Sequence, residues 1–318
     1  MQSCWEKLFC PSIRNKIKGS QTMHIRIGTS EIGGTFHRQG EAVADLLRTK
    51  HTVETEPVAG SSVGSALGLH SGDLQFGFSA SNWIGRALRG EDPFKEPIGI
   101  RMAAPANVGP MFFVVRADSD LHTIDDMKGR KVAVNFADSG MYQHTRTIFG
   151  ILGISFDEFE PVHIGFEEGS AKLKSGEIDA QWQCPIPNPI MTELADSTNV
   201  RVLEYAPGQL EKILDEATFY RRAVMPVEAF RGIAQETAQV GVLNVIATHE
   251  RVEDALVHEF VSSMVNNARE LGQKLELYRG LADLFGELKT EGQSVFEPGG
   301  VALHPGAIQA YRDAGLLK

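Results

Sequence analysis

Two distant stretches of this chain repeat one layout, and the repeat constrains the fold more than any other feature. The first reads Leu69-His70-Ser71-Gly72-Asp73 and the second Leu173-Lys174-Ser175-Gly176-Glu177, each leading into a short apolar run. Upstream of each lies a strand-like segment that stops at small residues and restarts as a helix. These are IRIGTSEIGGTFHRQGEAVADLL from Ile25 and KVAVNFADSGMYQHTRTIFGIL from Lys131. Two similar α/β halves in one chain predict a cleft between them.

A length of 318 residues accommodates two ordinary domains, each with its own core. The net charge of -10 argues against a nucleic-acid partner, which needs a basic face, but leaves room for a small anion held by backbone amides. No run reaches the roughly 18 apolar residues of a membrane-spanning helix, so direct membrane insertion is not expected. The leader, residues 1–23, is basic and broken by charges, and lacks the apolar core of a secretory signal. Met23, just before the first strand, leaves three readings open: a start of translation there, a true signal missing from this version of the sequence, or a disordered cytosolic tail. Cys4, Cys10 and Cys184 form neither a disulfide framework nor a metal spacing. No cofactor and no metal are expected.

From His24 the pattern runs strand, Gly-rich turn, helix, then the strand VETEPV, the helix SVGSALGLH and the strand LQFGFSA. Ile98 to Ala104 and Met111 to Val115 read as two further strands. The second unit carries a short helix at Thr123 to Met127, the strands KVAVNF, IDAQWQ and VRVLEY, and helices between them. The last third reads as helical, with Val252, Leu256, Phe260, Met264 and Val265 on one face. Alternating strands and helices predict a mostly parallel sheet covered on both faces. The expected division is lobe I at 24–115 plus 221–318 and lobe II at 116–220, with crossings near Val115 and Tyr220.

Four groups of residues are candidates for chemistry. Thr29 and Ser30 with Gly33, Gly34 and Thr35, and Asp138, Ser139 and Gly140, each lie between a strand end and a helix start. The first amides of a helix lack partners inside it and its dipole favours negative charge there, so such loops can hold a carboxylate or phosphate. An ordinary tight turn accounts for them equally well. Gly60-Ser61-Ser62-Val63-Gly64 matches G-x-S-x-G between a strand and a helix. Ser62 is therefore either a hydrolase nucleophile, with His258 or His304 as base, or, with Ser61, a source of hydroxyls and amides for a ligand. Trp182 ends a strand before a proline-rich segment and is either core or cleft lining; Asn82 and Trp83 occupy the equivalent place in the first half. His37, His144 and His163 have no metal spacing, and Tyr220-Arg221-Arg222 falls at the expected crossing.

At these residues the chain resembles the TAXI family, the extracytoplasmic solute receptors of TRAP (tripartite ATP-independent periplasmic) transporters. IGTSEIGGTFHRQG is similar to that family's strand and GTGGTGGTYYPLG loop, and AGSSVGSALGLHSGDLQFGFSASN to its Gly-Ser turn, helix and strand. MKGRKVAVNFADSGMYQHTR, LKSGEIDA and the closing LHPGAIQAYRDAGL follow in the family's order. The resemblance implies a two-lobed periplasmic-binding-protein fold of type II, with crossing hinge strands and the ligand in the cleft. It implies no enzyme, a periplasmic location, membrane subunits as partners, and a small organic acid or amino acid as ligand. The site it implies comprises Thr29, Ser30, Phe36, Ser61, Ser62, Asn82, Ser139 and Gly140. Phe36-His37 stands where the family has paired tyrosines, and Asn82 where it has an acid. That pair of departures favours an organic acid over a glutamate-like ligand. His37, Asp138 and Trp182 complete the expected site. The alternatives are the Ser62 hydrolase and a cytosolic small-molecule sensor of the same fold.

Overall fold

The structure, a computed structural model, describes residues 22–137, 139–183 and 188–318. Its first half alternates β1 (His24–Thr29), α1 (Thr35–Leu47), β2 (Thr52–Pro57), α2 (Ser62–Ser71), β3 (Phe76–Ala80) and α3 (Ser81–Arg89) before β4 (Ile100–Arg116). The second half runs β5 (Lys131–Ala133), α4 (Gly140–Leu152), β6 (Glu160–Val162), α5 (Phe166–Ser175), β7 (Ala180–Gln183), α6 (Pro189–Ser197), β8 (Val200–Val202) and α7 (Gln209–Glu216). It continues through β9 (Tyr220–Met225) and β10 (Thr237–His249) to α8 (Asp254–Asn266), α9 (Ala268–Lys274), α10 (Leu281–Glu291) and α11 (Pro305–Asp313). The expected helix at Thr123 to Met127 is one tight 3₁₀ turn, Ile124–Met127.

The sequence repeat has a common physical cause in both halves. Each Ser-Gly pair closes the helix that precedes the third strand of a β-α-β-α-β unit. Gly72 caps α2 at φ 87° and Gly176 caps α5 at φ 81°, left-handed conformations in which a side chain is strained. Ser71 Oγ lies 3.1 Å from the Gly68 carbonyl and 2.6 Å from Asp73 Oδ2. Ser175 Oγ makes the same pair of contacts, 3.1 Å to the Lys172 carbonyl and 3.0 Å to Glu177 Oε1. The strands that follow take equivalent places: β1 pairs in parallel with β2 and β3, and β5 with β6 and β7.

These triplets flank a central antiparallel pair, giving the order β2-β1-β3-β10-β4-β7-β5-β6, with β8 added on β4 and β9 on β10. The sheet is therefore mixed rather than mostly parallel. The two strands expected from Ile98 to Val115 are one, β4. Pro105 and Pro110 suggest an interruption because proline donates no ladder hydrogen bond. The ladder nevertheless continues through both, with irregularities in β10 at Asn244/Val245 and Ile246/Ala247 close to the Pro105 pairing. β10 itself lies where the sequence predicts helix. It is buried from Gln239 to His249, so neither face meets water and the alternation that marks a half-exposed strand is absent.

Apolar packing changes sides along these two long strands. One cluster takes β4 up to Ala106 and β10 from Leu243 onward, together with the first half and α8 to α11. Within it α1 buries Val43, Ala44 and Leu47 on one face, and Phe76 stacks on Phe260 at 3.8 Å. A second cluster takes β4 from Met111 and β10 up to Val242. Tyr220, where a return to the first half is expected, packs in this second cluster.

Candidate functional site

A cavity of about 460 Å³ opens where α1, α2 and α4 begin, between the two halves of the fold. From the first half Ser30, Phe36, Ser61, Ser62 and Trp83 line it; from the second, Asn135, Ser139, Gly140, Met141 and His144. Val242 and Asn244 on β10 complete it.

The loop before α1 is held by its own side chains. Ser30 Oγ accepts a hydrogen bond from the His37 amide at 3.2 Å, and the Gly34 amide donates to the Glu31 carbonyl at 2.9 Å. Ser61 precedes α2 at φ 48°, an uncommon conformation for a residue with a side chain. Ser62 Oγ accepts from the Ala80 amide at 3.1 Å, tying the start of α2 to the end of β3. Across the cavity, Ser139 caps α4 by accepting from the Tyr142 amide at 3.1 Å. Asn135 holds φ 68° and turns its Oδ1 onto the Phe136 amide at 2.8 Å.

His144 lies on α4 with its Nδ1 2.8 Å from Tyr220 Oη. Burial without a nearby carboxylate pushes its pKa down from the usual 6.5 to about 4, so the ring is neutral at neutral pH. Asn244 Nδ2 donates to Asn107 Oδ1 at 3.2 Å, and Gln39 Nε2 donates to the same oxygen at 3.0 Å. No lysine or arginine lines the cavity, and Glu31, which is exposed, is its one charged side chain among the described residues.

Of the residues expected from sequence, Ser30, Phe36, Ser61, Ser62, Ser139 and Gly140 meet at this cavity. Thr29 does not: it is fully buried, with Oγ1 bonded to the Ser30 and Glu56 carbonyls. His37 turns its Nδ1 to the Gly33 amide at 3.3 Å, away from the lining. Asn82 is buried at the start of α3, its Oδ1 without a partner among the described residues, and the neighbouring Trp83 reaches the cavity instead. Trp182 is corrected from cleft to core. It is 1% exposed, its ring centroid lies 4.5 Å from that of Phe113, and its Nε1 donates to the Met141 carbonyl at 3.1 Å. β7 is an interior strand, paired with β4 on one side and β5 on the other, and all four of its residues are buried. Asp138 and Cys184 lie outside the described residues.

Asn135, Met141, His144, Val242 and Asn244 carried no sequence signal as lining residues. The last two sit on the strand that reads as a uniform apolar run. Ser62 has no hydrogen bond to a histidine. His258 Nε2 pairs with Asp313 at 2.8 Å and His304 Nδ1 accepts from the Gly306 amide at 3.2 Å, both on the α8 and α11 side. Among the described residues no cluster of histidine, cysteine and carboxylates could hold a metal ion, and no helix is long and apolar enough to cross a membrane.

A model of the NMT1-like family matches residues 27–315. The chain belongs to the NMT1-like family. This NMT1-like protein is similar in structure to a periplasmic sulfonate-binding protein, SsuA, from Methylobacillus flagellatus KT. That likeness has 15% identity and a TM-score of 0.50, over 93% of this chain and 96% of that one. A TctC solute-binding protein from Polaromonas matches with 17% identity and a TM-score of 0.50, over 82% of this chain and 88% of that one. A periplasmic transporter matches with 13% identity and a TM-score of 0.51, over 88% of this chain and 97% of that one. The mixed open sheet with helices on its faces is the periplasmic-binding-protein fold.

Proposed function

We propose that this NMT1-like protein is the solute receptor of a transporter, and that the cavity holds a small carboxylate-bearing metabolite. One observation carries this reading: helix starts from both halves, at Thr35-Phe36, Ser61-Ser62 and Ser139-Gly140, converge on one cavity. First-turn amides have no partner inside their own helix, and with the helix dipole they favour an anion there without any basic side chain. The resemblance to TAXI receptors supports a TRAP-type membrane partner and a periplasmic location.

In this proposal the two lobes, expected from sequence as 24–115 plus 221–318 and 116–220, meet where β4 and β10 pass between the apolar clusters, between Ala106 and Met111 on β4 and between Val242 and Leu243 on β10. Hinge motion about those two strands brings Ser139 and Gly140 toward Phe36 and Ser62, so that the anion site is complete only when closed. A bound acid then raises the melting temperature by mass action. The test is mass spectrometry of ligand released from the purified protein, followed by thermal shift with a broad panel of organic acids and amino acids. A released acid that shifts the melting temperature supports the reading; no released ligand and no shift across the panel sinks it.

A further inference from the structure

The receptor reading leaves the ligand class open, and the walls of the cavity narrow it. Phe36, Trp83, Met141 and Val242 supply much of the lining, with Ala80 between the first two. Phe36 is only partly buried, and its ring centroid lies 5.7 Å from that of Phe78, so it is a wall backed by core rather than a mobile side chain. Trp83 stands opposite Gly140: a Cβ added to that glycine would lie 3.5 Å from Trp83 Nε1. An apolar face from the first half therefore confronts the anion-favouring start of α4 in the second.

Charge is scarce in this cavity. Among the described residues no lysine or arginine lines it, so a second negative charge would have only the same converging helix starts to hold it. His144 adds a hydrogen-bonding ring but no charge at neutral pH, because burial keeps it neutral. Glu31 is the acidic residue present among the described lining, and its exposure leaves it screened by water as a partner for an ammonium group. The polar groups turned to the cavity, in Ser30, Ser61, Asn135, Ser139 and Asn244, are neutral as well.

We propose that the ligand is a monocarboxylic acid with an apolar aliphatic or aromatic body, its carboxylate at the helix starts and its body against Phe36, Trp83, Met141 and Val242. A dicarboxylate would leave one charge without a partner, and an α-amino acid would leave its ammonium facing neutral side chains. The proposal rests on the receptor reading and is narrower than it.

Isothermal titration with four probes tests it: 3-phenylpropanoate, phenylalanine, benzylsuccinate and acetate. The first three share a benzyl body, and the last has the anion alone. The expected result is 3-phenylpropanoate bound at least about tenfold more tightly than each of the others, as burial of the apolar body requires. In Phe36→Gln and Met141→Gln, each checked for folding by circular dichroism, the ratio of 3-phenylpropanoate to acetate affinity should fall. Equal or tighter binding of phenylalanine, benzylsuccinate or acetate overturns the ligand class and leaves the receptor reading standing. A released ligand that carries two or more charges does the same. If no probe binds, the proposal falls; if in addition no ligand is released and the broad panel gives no shift, the receptor reading falls with it.

Discussion

Asn107 and Asn244 face each other across the central antiparallel pair, and one oxygen, Asn107 Oδ1, accepts from both Asn244 Nδ2 and Gln39 Nε2. The two asparagines stand within the stretch of β4 and β10 where packing passes from one apolar cluster to the other. Tyr278 Oη extends the network by donating to the Gln39 carbonyl at 3.2 Å. A buried polar cluster at this point fixes the register of the strands that the proposed hinge uses, and it carries Asn244 into the cavity wall.

Asn107→Ala removes the shared acceptor and leaves two buried amide donors unpaired. The expected loss of stability is about 1–3 kcal/mol for each donor that finds no water. Urea unfolding measures it, and an unchanged midpoint would show that the network contributes nothing net.

His144 makes stability depend on pH in a defined direction. Its folded pKa of about 4 lies below the ordinary 6.5, so the unfolded chain binds the proton more readily. Stability from this ring is fully present above pH 6.5 and is lost as pH falls toward 4, by about 3 kcal/mol over the window. Chemical denaturation at several pH values should show a shallower slope in His144→Gln than in the parent protein. Identical slopes would mean that the ring is not held neutral by burial.

The Ser62 hydroxyl accepts from the Ala80 amide, and among the described residues no histidine bonds to it, so Ser62 is expected to act as a tether. A fluorophosphonate probe is expected to leave it unlabelled. Ser62→Ala should cost about 1–3 kcal/mol by orphaning the Ala80 amide. Labelling that vanishes in the alanine variant would restore the hydrolase alternative.

The two tryptophans of the described residues should behave differently. Trp182 is enclosed in the second cluster, and Trp182→Ala should destabilise by about 3–5 kcal/mol. Trp83 lines the cavity, so a change of intrinsic fluorescence on ligand binding should disappear in Trp83→Phe and persist in a folded Trp182→Phe. The opposite pattern would return Trp182 to the cleft.

Much of this architecture is determined locally and is therefore legible in the chain alone. The Leu-x-Ser-Gly-acid turns mark the ends of α2 and α5, because a left-handed glycine cap and a serine bonded to the next acid are short-range chemistry. The small-residue loops mark the starts of α1 and α4 for the same reason, and that is why Ser30, Ser139 and Gly140 could be named in advance, whereas Phe36 came from the family resemblance.

Tertiary structure decided the rest, since burial depends on what arrives from far along the chain. Trp182 near the end of β7 and Asn82 just past the end of β3 hold equivalent places, yet neither lines the cavity: Trp182 is enclosed in the core and Asn82 is buried at the start of α3. β10 looks helical because a strand buried on both faces loses its alternation. Only its pairing with β3, β4 and β9 reveals it. His144, Asn135, Val242 and Asn244 became neighbours of Ser62 through that pairing and the meeting of the two halves, which no local signal encodes.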